Sequence, residues 1–266
     1  MNDARRRTQI ARRLDAIEET HGVAVFFACE SGSRAWGFPS ADSDYDVRFV
    51  YAHPRDWYLS IDLERRDDTI DPPIDDDIDL HGWDLRKALQ LFRDANPTLL
   101  EWLRSPLVYR EDEAVMSRWR EHIPHYYTPR AVGPAYRGMA RSIAAQNLGA
   151  PPIPHKAYLY VLRALLAVRW IEEDRGRVPV DFTRLLEAAT IDTSLRHAIE
   201  ALLTRKRTGT EKEAGPRLPT LHTFIEAELA RQDALSFPES ETEASADPLD
   251  AFFRSVLDHV ASSHFS

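Results

Sequence analysis

Two predicted strands are joined by the segment Cys29-Glu30-Ser31-Gly32-Ser33-Arg34-Ala35-Trp36-Gly37-Phe38-Pro39-Ser40-Ala41-Asp42-Ser43-Asp44-Tyr45-Asp46. An apolar run of strand length precedes it at residues 23–28, and an alternating run rich in β-branched and aromatic residues follows it at residues 47–51. The pattern predicts a strand, a Gly-Ser turn with a short connection, and a second strand that opens with Asp-x-Asp.

The acidic and small residues of this segment suit a metal and phosphate site. Because side chains alternate along a strand, we expect Asp44 and Asp46 on one face, about 7 Å apart. Two carboxylates so close repel each other unless a cation lies between them, and Mg²⁺ typically takes one or two carboxylates together with substrate phosphates. Gly32 lets the backbone turn tightly, and Ser33 offers a hydroxyl and an N–H to phosphate oxygens. The alternative is a solvated acidic turn between two strands.

The spacing of these residues also resembles a known signature. Gly32-Ser33 followed by Asp44-x-Asp46 is similar to the signature of the polymerase-β-type nucleotidyltransferase superfamily. The longer strings Gly-Ser-Arg-Ala-Trp-Gly-Phe at residues 32–38 and Ser-Asp-Tyr-Asp-Val-Arg at residues 43–48 resemble the nucleotidyltransferases linked to RNA repair, the RlaP-like family. The resemblance covers roughly residues 23–175.

A third carboxylate is expected on a neighbouring strand, because members of the superfamily complete a two-metal site in that way. Residues 77–82 alternate like a strand, so Asp77, Asp79 and His81 should share a face, and spacing alone does not choose between the two carboxylates. His81 could contact the metal site, or it could be a hydrogen-bonded structural residue. The family pattern Asp-x-x-x-aromatic-x-x-Arg-Lys is matched by Asp79, Trp83, Arg86 and Lys87. The resemblance therefore favours Asp79.

A helix predicted over residues 156–170 adds a second set of candidates. Its apolar positions indicate a buried, central helix, and Lys156, Tyr160 and Arg163 fall on one stripe at i, i+4 and i+7. Cationic side chains in a buried helix need an anionic partner. That partner could be a protein carboxylate or the phosphates of a nucleoside triphosphate, and a similar Lys…Tyr…Leu-Arg motif occurs in the resembling family.

The distribution of patterns predicts an α+β protein with two domains. Alternating strand patterns end near residue 110, and the later segments have helical spacing. Residues 1–110 are predicted to form a polymerase-β-like nucleotidyltransferase domain, a small mixed sheet with flanking helices. Residues 111–266 are predicted to form an all-α domain that contributes to the nucleotide and acceptor cleft. Helices are expected near residues 112–121, 129–148, 155–174, 181–189, 194–207, 219–232 and 248–262.

Composition excludes some classes of protein. The net charge of −9 argues against a protein that coats nucleic acid without specificity. A single cysteine, Cys29, excludes an internal disulfide and a multi-cysteine metal site, so no disulfide-linked partner is expected. No apolar run reaches transmembrane length, and the basic N-terminus is not followed by the apolar core of a signal peptide. We expect a cytoplasmic protein without a membrane partner.

The resemblance implies a nucleotidyltransferase dependent on Mg²⁺ or Mn²⁺. It would transfer NMP from an NTP, with ATP the expected donor, to an acceptor hydroxyl on an RNA end or a small molecule. The implied metal ligands are Asp44, Asp46 and Asp79, and the implied nucleotide-binding residues are Gly32, Ser33, Arg34, Lys156, Tyr160 and Arg163. Two alternatives stay open: a protein-modifying (AMPylating) nucleotidyltransferase of toxin–antitoxin type, and a non-catalytic nucleotide-sensing module.

Overall fold

The fold is α+β, as predicted. The computed structural model describes residues 3–237 and 245–264. In chain order the elements are α1 (Asp3–His21), β1 (Ala24–Glu30), α2 (Gly32–Ala35), β2 (Tyr45–Ala52), α3 (Arg55–Tyr58), a 3-10 turn (Leu63–Arg65), β3 (Thr69–Ile70), β4 (Ile78–Asp84), α4 (Leu85–Arg93), α5 (Pro97–Trp102), β5 (Val108–Glu111), α6 (Glu113–Tyr126), α7 (Pro129–Asn147), β6 (Ile153–Pro154), α8 (His155–Glu172), α9 (Phe182–Ala188), α10 (Thr193–Thr208), β7 (Ala214–Gly215), α11 (Pro219–Asp233) and α12 (Asp247–His264).

These elements form two compact units. Within the described residues, the first unit contains residues 3–32, 44–126 and 245–264, and the second contains residues 33–43 and 127–237. This division differs from the predicted boundary at residue 110. The connection between β1 and β2 clusters with the helical unit, while α6 and α12 cluster with the sheet. The difference arises because contacts, not chain order, define a compact unit.

The first unit is built on a mixed sheet of order β3-β4-β2-β1-β5. β2 and β4 run parallel, and the other neighbours are antiparallel. One face packs against α1, whose Ile10, Leu14 and Ile17 are buried against Val47 and Phe49 of β2. Because side chains alternate along β2, the residues between these core positions point to the opposite face.

The second unit is mostly helical and surrounds α8. Leu159, Leu162, Leu166 and Val168 of α8 are buried, which confirms the predicted central helix. The unit also contains a strand pair that the sequence analysis missed, β6 with β7. Each of these strands has two residues, too few for an alternating pattern to be visible. Within the described parts of the chain, no helix has both the length and the apolar character needed to cross a membrane.

Candidate active site

The carboxylates of Asp46 and Asp79 lie on adjacent strands of the first unit. β2 and β4 are paired in parallel, and Asp46 is the register partner of Asp79. Both side chains are partly exposed, at 27% and 25%. Register partners in a sheet point to the same face, so the two carboxylates lie side by side on the face opposite to α1.

A cation already lies between these two carboxylates. Nη2 of Arg48 is 2.9 Å from Oδ1 of Asp46 and 2.8 Å from Oδ2 of Asp79. Its Nη1 donates to the backbone carbonyl of Asp79 at 3.1 Å. Sequence reasoning did not assign Arg48 to the site, although its position two residues after Asp46 on the same strand face was visible. The guanidinium offsets the repulsion expected between the carboxylates.

Gly32 is packed against Asp46. Its φ is +60°, and a Cβ built at this position would lie 2.2 Å from Oδ2 of Asp46. The N–H of Ser31 donates to the carbonyl of Asp46 at 2.8 Å. The absence of a side chain at Gly32 therefore allows the carboxylate of Asp46 to lie against its backbone.

A buried acid that sequence reasoning missed holds the backbone of Asp46. Glu30 ends β1 with no solvent exposure, and its Oε1 accepts the N–H of Asp46 at 2.8 Å. The hydroxyl of Tyr109 donates to the other carboxylate oxygen of Glu30. Burial, followed by the neighbouring Glu30, raises the pKa of Tyr109, so its hydroxyl stays protonated and available as a donor. The sequence did contain a signal for this role of Glu30, because it is an acidic residue at the end of an otherwise apolar strand.

Asp77 does not share the strand face expected for it. It precedes β4, has a φ of +59°, and its side chain is 71% exposed and 3.6 Å from Nη2 of Arg6. The expectation that Asp77 and Asp79 share a face of one strand is therefore wrong, because the chain turns at Asp77 before the strand begins. His81 does lie in β4, paired in register with Arg48, and its Nδ1 is 3.4 Å from Asp71.

Asp44 lies just before β2, which begins at Tyr45. In residues 3–237 and 245–264, no three carboxylate, imidazole or thiol groups are gathered so that they could hold a metal ion as the side chains stand.

Cys29 is fully buried, and burial raises the pKa of its thiol, which suits packing in β1 better than metal binding.

The remaining candidates fall in the second unit, where a serine cluster organises the segment 33–43. Oγ of Ser43 is 2.8 Å from Oγ of Ser40 and 3.4 Å from Oγ of Ser33. Nη2 of Arg34 donates to the carbonyl of Ser43 at 2.6 Å. Ser33 and Arg34 are thus both hydrogen-bonded to Ser43.

Glu211 joins this cluster to two lysines. Its carboxylate accepts hydrogen bonds from Ser43 at 2.7 Å and from Ser40 at 3.1 Å. Nζ of Lys156 is 3.2 Å away, and Nζ of Lys206 donates to the same carboxylate. Burial alone would raise the pKa of Glu211, but the hydrogen bonds from Lys206 and Ser43 lower it to about 2. Lys156 therefore has a protein carboxylate as its partner in this structure.

Tyr160 and Arg163 contact aromatic residues of the segment 33–43. The ring of Tyr160 meets that of Trp36 edge to face, with centroids 4.8 Å apart. Arg163 is 1% exposed, its guanidinium lies 4.4 Å from the centroid of the Trp36 ring, and it donates to the carbonyl of Val180 at 3.3 Å. The three residues of the predicted stripe thus have different surroundings, and two of them hold the segment through Trp36.

The chain is similar to known proteins over most of its length. The family described as RlaP, RNA repair pathway DNA polymerase beta family, matches residues 6–255. A protein of Bacillus subtilis (strain 168) called "Uncharacterized protein YcgL" is 44% identical over 223 residues, 84% of this chain and 85% of its own length. A crystal structure of a nucleotidyltransferase-like protein from Exiguobacterium sibiricum 255-15 covers 96% of this chain and 91% of its own, at 13% identity and a TM-score of 0.33, too loose a likeness to bear on function.

Proposed function

Because the chain belongs to the RlaP family, the RNA repair pathway DNA polymerase beta family, we propose that it is a nucleotidyltransferase that moves NMP from an NTP to an acceptor hydroxyl. One observation carries the proposal: the carboxylates of Asp46 and Asp79 are register partners on adjacent parallel strands, beside the Gly32 turn. ATP is the proposed donor. The RNA repair description of the family supports an RNA end as the acceptor.

The carboxylate oxygens of the first unit are the kind of donor that suits a hard divalent cation, although the described side chains are not gathered to hold one as they stand. Asp46 and Asp79 offer carboxylate oxygens and already share one cation, the guanidinium of Arg48. Oxygen donors of this kind suit Mg²⁺ or Mn²⁺. Asp44, Asp46 and Asp79 would hold the metal. When bound, it would supply charge neutralisation for the leaving pyrophosphate and a lower pKa for the attacking hydroxyl.

The position of Asp79 favours it over Asp77 as the third ligand. Asp79 is paired in register with Asp46, whereas Asp77 lies before the strand and close to Arg6. Glu30 and Gly32 act on Asp46 by fixing its backbone and leaving space for its carboxylate. We assign both to positioning rather than to contact with substrate.

The nucleotide is proposed to bind through Ser33, Arg34 and Lys156 of the second unit. Ser33 and Arg34 offer a hydroxyl and a guanidinium, and both are bound to Ser43. Arg suits bidentate contact with phosphate and Lys acts as a point charge. Tyr160 and Arg163 are proposed to act on the nucleotide through Trp36, because both side chains contact that ring.

Transfer of label from each α-³²P-labelled NTP tests the function. The protein is incubated with Mg²⁺ or Mn²⁺, short RNA and whole-cell protein, and the products are separated on gels. We expect label on RNA with the wild type, none with Asp46→Asn, and wild-type levels with the control Asp62→Asn, an exposed residue of the segment before the 3-10 turn. Label on a protein band would instead identify a protein-modifying enzyme. NTP binding without label in any fraction would identify a nucleotide sensor.

A further inference from the structure

The carboxylate of Glu211 has the surroundings of a bound phosphate. Two ammonium groups, from Lys156 and Lys206, and two hydroxyls, from Ser40 and Ser43, contact it within the second unit. Charge-assisted hydrogen bonds from lysines and hydroxyls are the contacts that phosphate oxygens receive in proteins. A phosphate presents more oxygens and more negative charge than a carboxylate, so it could satisfy the same four donors.

Three of the four donors around Glu211 are buried, and the fourth, Lys156, has a side chain that is 42% exposed. Lys206 is 2% exposed, and Ser40 and Ser43 are also buried. A buried ammonium group is costly unless an anion compensates it. Some anion must therefore remain at this place, and in this structure the chain supplies it from the segment between α10 and β7.

Glu211 sits on a short connection rather than on a helix or strand. Its backbone N–H donates to Oδ1 of Asp42 at 2.8 Å, and Glu213, two residues later, pairs with Arg205 instead of the lysines. The connection can release the carboxylate by changing a few backbone dihedral angles, without breaking a helix or a sheet.

We propose that Ser40, Ser43, Lys156 and Lys206 form a phosphate-binding site and that Glu211 occupies it as an internal competitor. The occupant in the working enzyme is the polyphosphate of the nucleoside triphosphate, an identification that rests on the proposed function. The hydrogen bond between Ser33 and Ser43 connects this site to the Gly-Ser segment. Binding of nucleotide displaces Glu211, so the contact is autoinhibitory.

Protonation does not open this site near neutral pH. The pKa of Glu211 is lowered to about 2, and the groups that face it are Lys156, Lys206, the serine hydroxyls and Asp42, which accepts the backbone N–H of Glu211. The carboxylate is ionised at every pH at which the protein would work, so a competing anion and not a proton removes it.

The test is calorimetric titration with inorganic tripolyphosphate in the presence of EDTA, which gives a binding constant without turnover. We expect Glu211→Gln to bind tripolyphosphate at least 10-fold more tightly than the wild type, because the internal anion has been removed. The matched control Glu213→Gln changes a carboxylate of the same connection that pairs with Arg205, and it should bind as the wild type does. The double variant Glu211→Gln/Lys206→Met should lose the gain.

Equal affinity of wild type and Glu211→Gln would overturn the proposal, as would an equal gain in the control or a gain that survives in the double variant. AMP serves as a second probe, and a gain for AMP without one for tripolyphosphate would also contradict it. If Glu211→Gln is too unstable for titration, the rise in Tm on adding tripolyphosphate replaces it, and a rise no larger than that of the wild type contradicts the proposal. Label transfer is measured separately: a protein that binds but transfers nothing refutes the proposed function alone.

Discussion

Arg48 contacts carboxylates from two strands through one nitrogen atom, Nη2. This contact explains how Asp46 and Asp79 can lie side by side in a folded protein, because the repulsion between them is offset by a guanidinium. All three groups are partly exposed, so solvent screens the ion pairs and their contribution to stability is small. The contact holds the two carboxylates beside each other.

Replacing each of the two rival carboxylates should separate their roles. We predict that Asp79→Asn loses label transfer by a factor of at least about 100, since a neutral amide is a poorer ligand for a hard cation. Asp77→Asn, the matched control on the exposed turn, should retain activity within about twofold. Initial rates of NTP-dependent labelling measure both. Loss of activity in Asp77→Asn with retention in Asp79→Asn would reverse the assignment.

Gly32 and Gly22 form a natural pair for testing the close approach to Asp46. Both have a φ near +60°, but a Cβ at Gly22 meets nothing within 4 Å, whereas one at Gly32 overlaps the Asp46 carboxylate. Gly22→Ala should cost about 1 kcal/mol of unfolding free energy from backbone strain alone. Gly32→Ala should cost more, about 2–3 kcal/mol, and should abolish label transfer. Urea unfolding and activity assays measure the two effects, and equal costs at both positions would contradict the overlap.

At the scale of single elements, α4 shows how a cap can be predicted while its environment cannot. Aspartate is among the residues preferred at a helix N-cap, and Oδ1 of Asp84 accepts the N–H of Arg86 at 2.8 Å. The structure adds that Asp84 is buried and that its Oδ2 accepts the hydroxyl of Tyr58 at 2.6 Å. Burial raises the pKa of Asp84 to about 6, despite the hydrogen bond from Tyr58, which lowers it.

The raised pKa of Asp84 predicts a pH dependence of stability. The folded protein binds this proton more tightly than the unfolded chain, whose Asp titrates near 3.8. The contribution is therefore fully present below about pH 4 and is lost as the pH rises through about 6. Asp84→Asn keeps a capping oxygen but cannot titrate. The unfolding free energy of wild type relative to this variant should fall by about 2–3 kcal/mol between pH 4 and pH 7, as measured by urea unfolding; a constant difference would contradict the shift.

At the scale of the whole molecule, chain order and compact units do not coincide. The connection 33–43 lies between two strands of the first unit in sequence but clusters with the helical second unit. Its serines meet Glu211, which is 168 residues from Ser43 along the chain. Each unit is thus built from separate stretches of sequence, and the residues proposed for metal binding and those proposed for phosphate binding are organised by different units.

Local patterns of the sequence determined a large part of this structure. The alternation of residues 47–51 indicated β2, the apolar spacing of residues 156–170 indicated the buried α8, and each helix predicted beyond residue 112 is present. These features depend on neighbours within one or two turns or on alternate positions of a strand, so a single sequence contains them. The Gly-Ser and Asp-x-Asp strings further identified the family that the comparison then showed.

Only the tertiary structure decided which groups meet. Strand register placed Asp79, and not Asp77, beside Asp46, and folding brought Glu30 to the backbone of Asp46. The sequence left two possible partners for Lys156, and the fold supplied Glu211. These contacts join residues distant along the chain, and their formation depends on how sheet and helices pack. A pattern of hydrophobicity or charge does not specify such pairing, which is why candidate residues could be proposed from the sequence but their partners could not.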